Sequence, residues 1–210
     1  MPELYYQKPK FFLLTIVIVV FLWLMTFFWQ PLSFWVLKTL TVILLVFYTL
    51  KTRGRRAIPS QVKLKDFTWG IGSAIVLYLF FTVIYYFVSL FFPDLSAEMT
   101  EIYQLTADYN SLAIALLILF FIGPAEEIFW RGLIQQEFQE YFSLEKALWF
   151  TVLLYGVIHI LTGNVILILA NFAAGLFWAA LFYWKQNLAM VIVGNALWKV
   201  LLLILSPLIL

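Results

Sequence analysis

The chain has 210 residues, of which 65% are hydrophobic and 11% charged, with a net charge of +2. Soluble domains carry about 25% charged residues; this deficit, with a mean hydropathy of +1.00, places the chain in the membrane class and argues against a nucleic-acid partner. Cysteine is absent and histidine occurs once, at His159. That excludes a disulfide framework, a thiol nucleophile and any site built on two histidines, such as an HExxH zinc site.

Apolar runs follow one another in chain order at 11–29, 31–50, 69–92, 111–135, 146–161, 165–184 and from 188 to the C-terminus, with Pro207 near its end. Each is close to the ~20 residues a helix needs to cross the hydrocarbon core. The first is too long for the core of a secretory signal and no small-residue cleavage site follows, so it reads as a retained span. The runs lack the alternation of a β-barrel, and only helices otherwise satisfy their own backbone in lipid. The expected fold is an all-α polytopic membrane bundle of about seven transmembrane helices, forming a single membrane domain over 1–210. No internal repeat or low-complexity tract interrupts it. The abundant aromatics read as lipid-facing bulk and interfacial anchors.

The connections differ in charge. The stretch 51–65 carries six basic residues, whereas 93–110, read as a loop, carries four acids and no base. With the N-terminus inside, Lys8, Lys10, the six bases of 51–65, Lys146 and Lys185 all face the cytoplasm, as the positive-inside rule requires. Lys38, Arg131 and Lys199 fall within spans. Lys38 has no evident partner and is expected to snorkel.

Ionisable groups inside a membrane are costly and are functional candidates by default. They concentrate in "EEIFWR", Glu126 to Arg131, and at His159 and Lys199, with Asn195 as a polar companion. Glu127 and Arg131 are four apart and share a helix face, so they can neutralise each other. Glu126 is rotated by about 100°, which leaves one carboxylate for other work. The fourth and fifth spans form a hairpin whose tip, "QEYFSLEK", places Ser143 to cap the fifth helix and Glu145 in its first turn. Glu126 and His159 are equidistant from that tip and are expected at one depth. Asn195 and Lys199 share a face of the last span, within about a turn of that depth. A carboxylate, an imidazole, an amide and an amine at one level suggest hydrolysis: proton transfer from water by Glu126 and His159, and donors to an oxyanion from Asn195 and Lys199. Ser111 and Ser143 lie too far from this level to serve as nucleophiles.

These residues resemble the CAAX-protease and bacteriocin-processing family, also called Abi, the intramembrane glutamic endopeptidases. "EEIFWRG" matches the family's paired glutamates, three residues and arginine at Glu126, Glu127 and Arg131, followed by Gly132. "YGVIH" matches an aromatic, three residues and histidine, with Tyr155 in the place of the usual Phe. "NALWK" stands where the family has a histidine, three residues and Asn or Asp, so Asn195 and Lys199 are substitutions. The resemblance covers 111–203, the core of the family domain. It implies Glu126 as general base, His159 as its partner, and Glu127 with Arg131 shaping the site; one histidine and no cysteine leave poor ligands, which argues against an obligatory metal or cofactor.

The leading expectation is therefore an intramembrane endopeptidase in a bacterial plasma membrane, cutting a peptide or a membrane-anchored protein near the cytoplasmic side. Two alternatives stand beside it: a catalytically silent regulator or bacteriocin self-immunity factor, and a small transporter or proton relay using Glu126, His159 and Lys199. Direct pairing of Lys199 with Glu126 favours the silent member. The transporter is opposed by the absence of repeats and of paired broken helices.

Overall fold

The computed structural model describes residues 8–59 and 61–205, and every element among them is helical. Helix α1 is Lys8–Trp23 and continues in wider π-helical turns through Leu24–Trp29. Helix α2 is Phe34–Arg53, closed by the 3₁₀ turn Gly54–Ala57, and α3 is Leu64–Phe91. Helix α4 is Pro93–Ala107. The remaining four are α5 (Ser111–Gln139), α6 (Leu144–Thr162), α7 (Val165–Lys185) and α8 (Leu188–Leu205). Six of them, α2 with its closing turn, α3 and α5 to α8, are long and apolar enough to cross a membrane. The apolar part of α1, Leu13–Trp29, is shorter. The expected seven spans thus resolve into six full-length helices and one shorter apolar one. Positions 206–210, with Pro207, lie outside the described residues.

The acidic stretch after α3 is not a loop. Pro93 opens α4, where its fixed φ suits a first turn and its missing N–H costs nothing. Met99, Ile102, Tyr103 and Thr106 of this helix turn towards the bundle and line a cavity there. The helical spacing of these side chains was masked in the sequence by the acids between them.

From residue 110 onward each long helix begins with a polar cap, which meets the orphan N–H groups of its first turn. Asn110 accepts from the Ala113 amide at 3.0 Å, Ser143 from Lys146 at 3.3 Å, Asn164 from Leu167 at 2.8 Å and Asn187 from Met190 at 3.1 Å. Two of these later helices end in left-handed residues, Gly163 (φ 72°) after α6 and Gln186 (φ 47°) after α7, as α1 does at Gln30 (φ 45°). The tight connections that result fold α5 to α8 back and forth.

Helices α5, α6 and α8 are the most buried of the spans. Half of the apolar stretch of α8 and 44% of those of α5 and α6 are buried, against 22% of that of α3, which therefore turns most of its surface to lipid. One core centres on Trp23, Phe129, Trp130, Leu133 and Tyr155, where α1, α5 and α6 meet. Another centres on Leu77, Trp178, Val191 and Trp198, where α3, α7 and α8 meet. Helix α5 is not a uniform α-helix. It contains two π-helical stretches, Ile118–Ile122 and Trp130–Gln135, on either side of the short α segment Gly123–Phe129. Pro124 sits at the start of that segment. In a regular helix its ring would clash with the carbonyl four residues earlier; the wider preceding turn lets the helix run through.

Gly132 marks the closest approach between α5 and the basic turn. A Cβ there would stand 2.4 Å from the Ala57 carbonyl oxygen, whereas one at Gly72 would meet nothing within 4 Å. Gly132→Ala is expected to lower stability in detergent by about 1–3 kcal/mol, the usual cost of overpacking. Gly72→Ala is expected to leave it unchanged or raise it. Paired thermal unfolding curves of the two variants check this.

Candidate active site

All six residues singled out in the sequence are in the buried centre, but they form two layers. Glu126, His159 and Lys199 line an apolar cavity of about 370 Å³, together with Lys38, Tyr155 and Asn171. Glu127, Arg131 and Asn195 do not line it, and each is at most 1% exposed.

The inner layer is a buried network, in which Glu127 Oε2, Arg131 Nε and Asn195 Oδ1 have no hydrogen-bond partner among the described residues. The i,i+4 pair expected in α5 is present: Arg131 Nη1 donates to Glu127 Oε1 at 3.0 Å. Asn195 Nδ2 donates to the same oxygen at 2.6 Å, which fastens α8 to α5. Arg131 Nη2 donates to the Gly175 carbonyl at 2.9 Å, which fastens α7. The guanidinium also lies 5.5 Å from the centre of the Tyr155 ring on α6. This arrangement corrects the expectation that Asn195 presents its amide to an oxyanion. The amide is held behind the cavity because the Glu127 carboxylate, buried in hydrocarbon, needs more than one donor.

The cavity layer corrects two further expectations. Lys38 does not snorkel; its Nζ donates to Glu126 Oε1 at 2.7 Å. Lys199 Nζ pairs with Glu126 Oε2. Glu126 is therefore not a spare carboxylate but is clamped between two ammoniums, one from α2 and one from α8. The physical reason is the same low dielectric that makes lone buried charges costly. Lys38 also lies 4.6 Å from the centre of the Trp23 ring, a favourable cation–π position. The local charge is uneven, with two lysines to one carboxylate.

His159 ends the α-helical part of α6. Its Nδ1 lies 2.6 Å from the Tyr155 carbonyl oxygen, so Nδ1 carries the proton in that bond and Nε2 keeps a lone pair. Trp23 meets the imidazole edge to face at 5.6 Å and packs it in place. Tyr155 Oη donates to Asn171 Oδ1 at 3.2 Å, which ties α6 to α7 beside the cavity. Among the described residues no group of three His, Cys, Asp or Glu side chains is placed to hold a metal ion.

The remaining lining comes from the α4 half of every helix: Phe34 and Trp35 at the start of α2, Phe81 and Val88 late in α3, and Leu202 late in α8. The cavity thus lies in the half of the bundle remote from the basic turns, not beside them as expected. Helix α4 lies across that half. Trp35 Nε1 donates to the Leu105 carbonyl at 2.6 Å. The Ile166 amide donates to Glu98 Oε2 at 3.2 Å, and Asn164 Nδ2 donates to the Glu98 carbonyl at 3.0 Å. Asn171 and α4 were missed at the sequence level. A helix-interior Asn carries no motif, and α4 was taken for a connection.

Removing one partner from the inner layer leaves a buried charge unpaired. Arg131→Met is expected to cost about 3–5 kcal/mol of stability, and the double variant Arg131→Met/Glu127→Gln to recover part of it. Unfolding of both proteins in the same detergent distinguishes these outcomes.

The geometry is matched by kinship over the same segment. Residues 108–201 match the family model described as type II CAAX prenyl endopeptidase Rce1-like. No curated protein and no solved structure gives a significant match. The segment matched runs from just before α5 into α8 and contains "EEIFWRG", "YGVIH" and "NALWK". The matched family is one of endopeptidases, and the chain has six helices long and apolar enough to cross a membrane. The likeness to the type II CAAX prenyl endopeptidase Rce1-like family covers residues 108–201, a little under half of the chain.

Proposed function

We propose that the chain is an intramembrane endopeptidase that hydrolyses a peptide bond of a peptide or membrane-anchored protein by activated water. The observation that carries this reading is the convergence of the buried Glu126 and His159 on one largely apolar cavity. Catalysis is assigned to 111–203, with Lys38 of α2 added to it. Water held between the Glu126 carboxylate and His159 Nε2 gives up a proton to one of them as its oxygen attacks the scissile carbonyl carbon. The carbonyl oxygen becomes an oxyanion and accepts from Lys38 or Lys199, whose remaining N–H donors are not spent on Glu126. The proton then passes to the leaving amine as the C–N bond breaks. Glu127, Arg131 and Asn195 hold the frame and do not touch substrate.

A second reading rests on the same pair of lysines. With both oxygens of Glu126 engaged, the resting site matches a silent member that acts as a membrane regulator or self-immunity factor. In the peptidase reading, substrate entry draws one lysine from Glu126 to the oxyanion. In the silent reading the clamp is permanent.

Localisation follows the positive-inside rule: an integral protein of a bacterial plasma membrane, with the N-terminus and the basic turns cytoplasmic. The cavity is then in the outer half. The chain has no native cysteine, so single-cysteine labelling is direct. A membrane-impermeant maleimide added to intact cells is expected to label Glu101→Cys and spare Lys51→Cys; the reverse pattern inverts the topology.

Cleavage decides between the two readings. Purified protein in liposomes is expected to cut members of a quenched library of membrane-inserted peptides. Glu126→Gln and His159→Ala are each expected to lose about 100-fold or more while remaining folded. Wild type that is folded but inert, with activity appearing in Lys199→Asn, would identify a silenced member.

A further inference from the structure

The end of the bundle remote from the cavity holds a second hollow. It is a cleft of about 590 Å³ between residues 56–59 and 61–65, the end of α5 and the junction of α7 with α8. Four bases line it, Arg53, Arg56, Lys63 and Lys65, and two acids, Asp66 and Glu140. The acids are already engaged. Glu140 accepts from Arg53 Nη2 at 2.8 Å, and Arg53 Nη1 donates to Glu137 at 2.5 Å. Asp66 accepts from the Lys63 amide and from Asn187 Nδ2, both at 2.8 Å. No ion pair involves Arg56, Lys63 or Lys65 among the described residues.

Among the described residues Arg56, Lys63 and Lys65 are thus left without a carboxylate, and the cleft is short of negative charge. A phosphate group supplies it, with non-bridging oxygens that take several N–H donors at once. The surroundings point to the source. The cleft lies where α2 and α5 end and α3 and α8 begin, at the boundary between hydrocarbon and water. Beside it Leu64 is 81% exposed and Val62 55%, apolar surface suited to acyl chains.

We propose that this cleft binds the phosphate headgroup of an anionic phospholipid, whose chains pass over Val62 and Leu64. Arg56, Lys63 and Lys65 supply both the charge and the N–H donors. The bound lipid braces the 54–57 turn against α5 at Gly132, on the helix that carries "EEIFWR". The site stands whether or not the chain cleaves peptides.

The test uses the full chain in a neutral detergent, with the melting temperature as readout. Phosphatidylglycerol in mixed micelles is expected to raise it by several degrees, phosphatidylcholine not at all, and inorganic phosphate much less. Arg56→Gln/Lys63→Gln/Lys65→Gln changes only exposed side chains and is expected to melt normally without lipid. It is expected to weaken the phosphatidylglycerol effect on the order of 100-fold in lipid concentration. Lys146→Gln/Lys185→Gln, at the same end of the bundle but outside the cleft, is expected to leave it intact. An equal response to both lipids overturns the proposal. So does an unchanged response in the triple variant, or an equal loss in the control, which would mark diffuse surface attraction. If inorganic phosphate alone matches phosphatidylglycerol, the lipid as source is overturned.

Discussion

A carboxylate in hydrocarbon must be neutralised and hydrogen-bonded, and the centre of this protein is arranged around two of them. Glu127 is met by Arg131 from its own helix and by Asn195 from α8. Glu126 is met by Lys38 from α2 and Lys199 from α8. Adjacent positions on one helix point in different directions, so the two demands cannot be met by one neighbour. They require α2 and α8 to pack on α5 together. Breaking a buried pair by removing one partner is far costlier than the pair is stabilising. These contacts therefore act less as glue than as a specification of which helices lie beside α5, and at what height.

The division of labour between the two carboxylates follows from what surrounds each. Glu127 is buried behind the cavity, with Oε1 bound by Arg131 and Asn195 and Oε2 without a partner among the described residues. Glu126 faces a cavity walled by hydrocarbon, and its partners are lysines, whose flexible stems let the ammonium shift by ångströms. A rigid arginine pair behind and mobile lysine pairs in front suit a site in which only the front layer rearranges. His159 belongs with the front layer, yet its ring is fixed by the Tyr155 carbonyl and the Trp23 face. The groups on flexible stems are thus the cations, while the imidazole is packed in place.

Much of this was legible in the sequence because it is local. Apolar length gave the long helices, four-residue spacing gave the Glu127–Arg131 pair, and Ser143 before an apolar run gave the cap of α6. The meeting of Glu126 and His159 on one cavity followed from their place in a hairpin. Contacts between distant helices were not legible, since no spacing connects position 38 with position 126. One signal was present: a base alone in a span needs an acid, and Glu126 was the acid in the spans left without a local partner. The count of charges could have joined them. Helix α4 was hidden for the opposite reason, because acids at its surface outweighed the helical spacing of Met99, Ile102, Tyr103 and Thr106. The side of the bundle on which the cavity lies depended on that helix, and was misplaced with it.

The two π-helical stretches of α5 have a consequence for how its faces are set. Each hydrogen-bonded loop there encloses one residue more than in an α-helix, so the azimuth of side chains slips at both places. Gly123–Phe129, which holds both glutamates, lies between the slips. It is in effect an independently dialled disc in an otherwise continuous rod. The lipid-facing and core-facing stripes above and below it are set by bulk hydrophobicity, whereas the disc is set by its ion pairs. A helix of one phase would have had to compromise between those demands; this one does not.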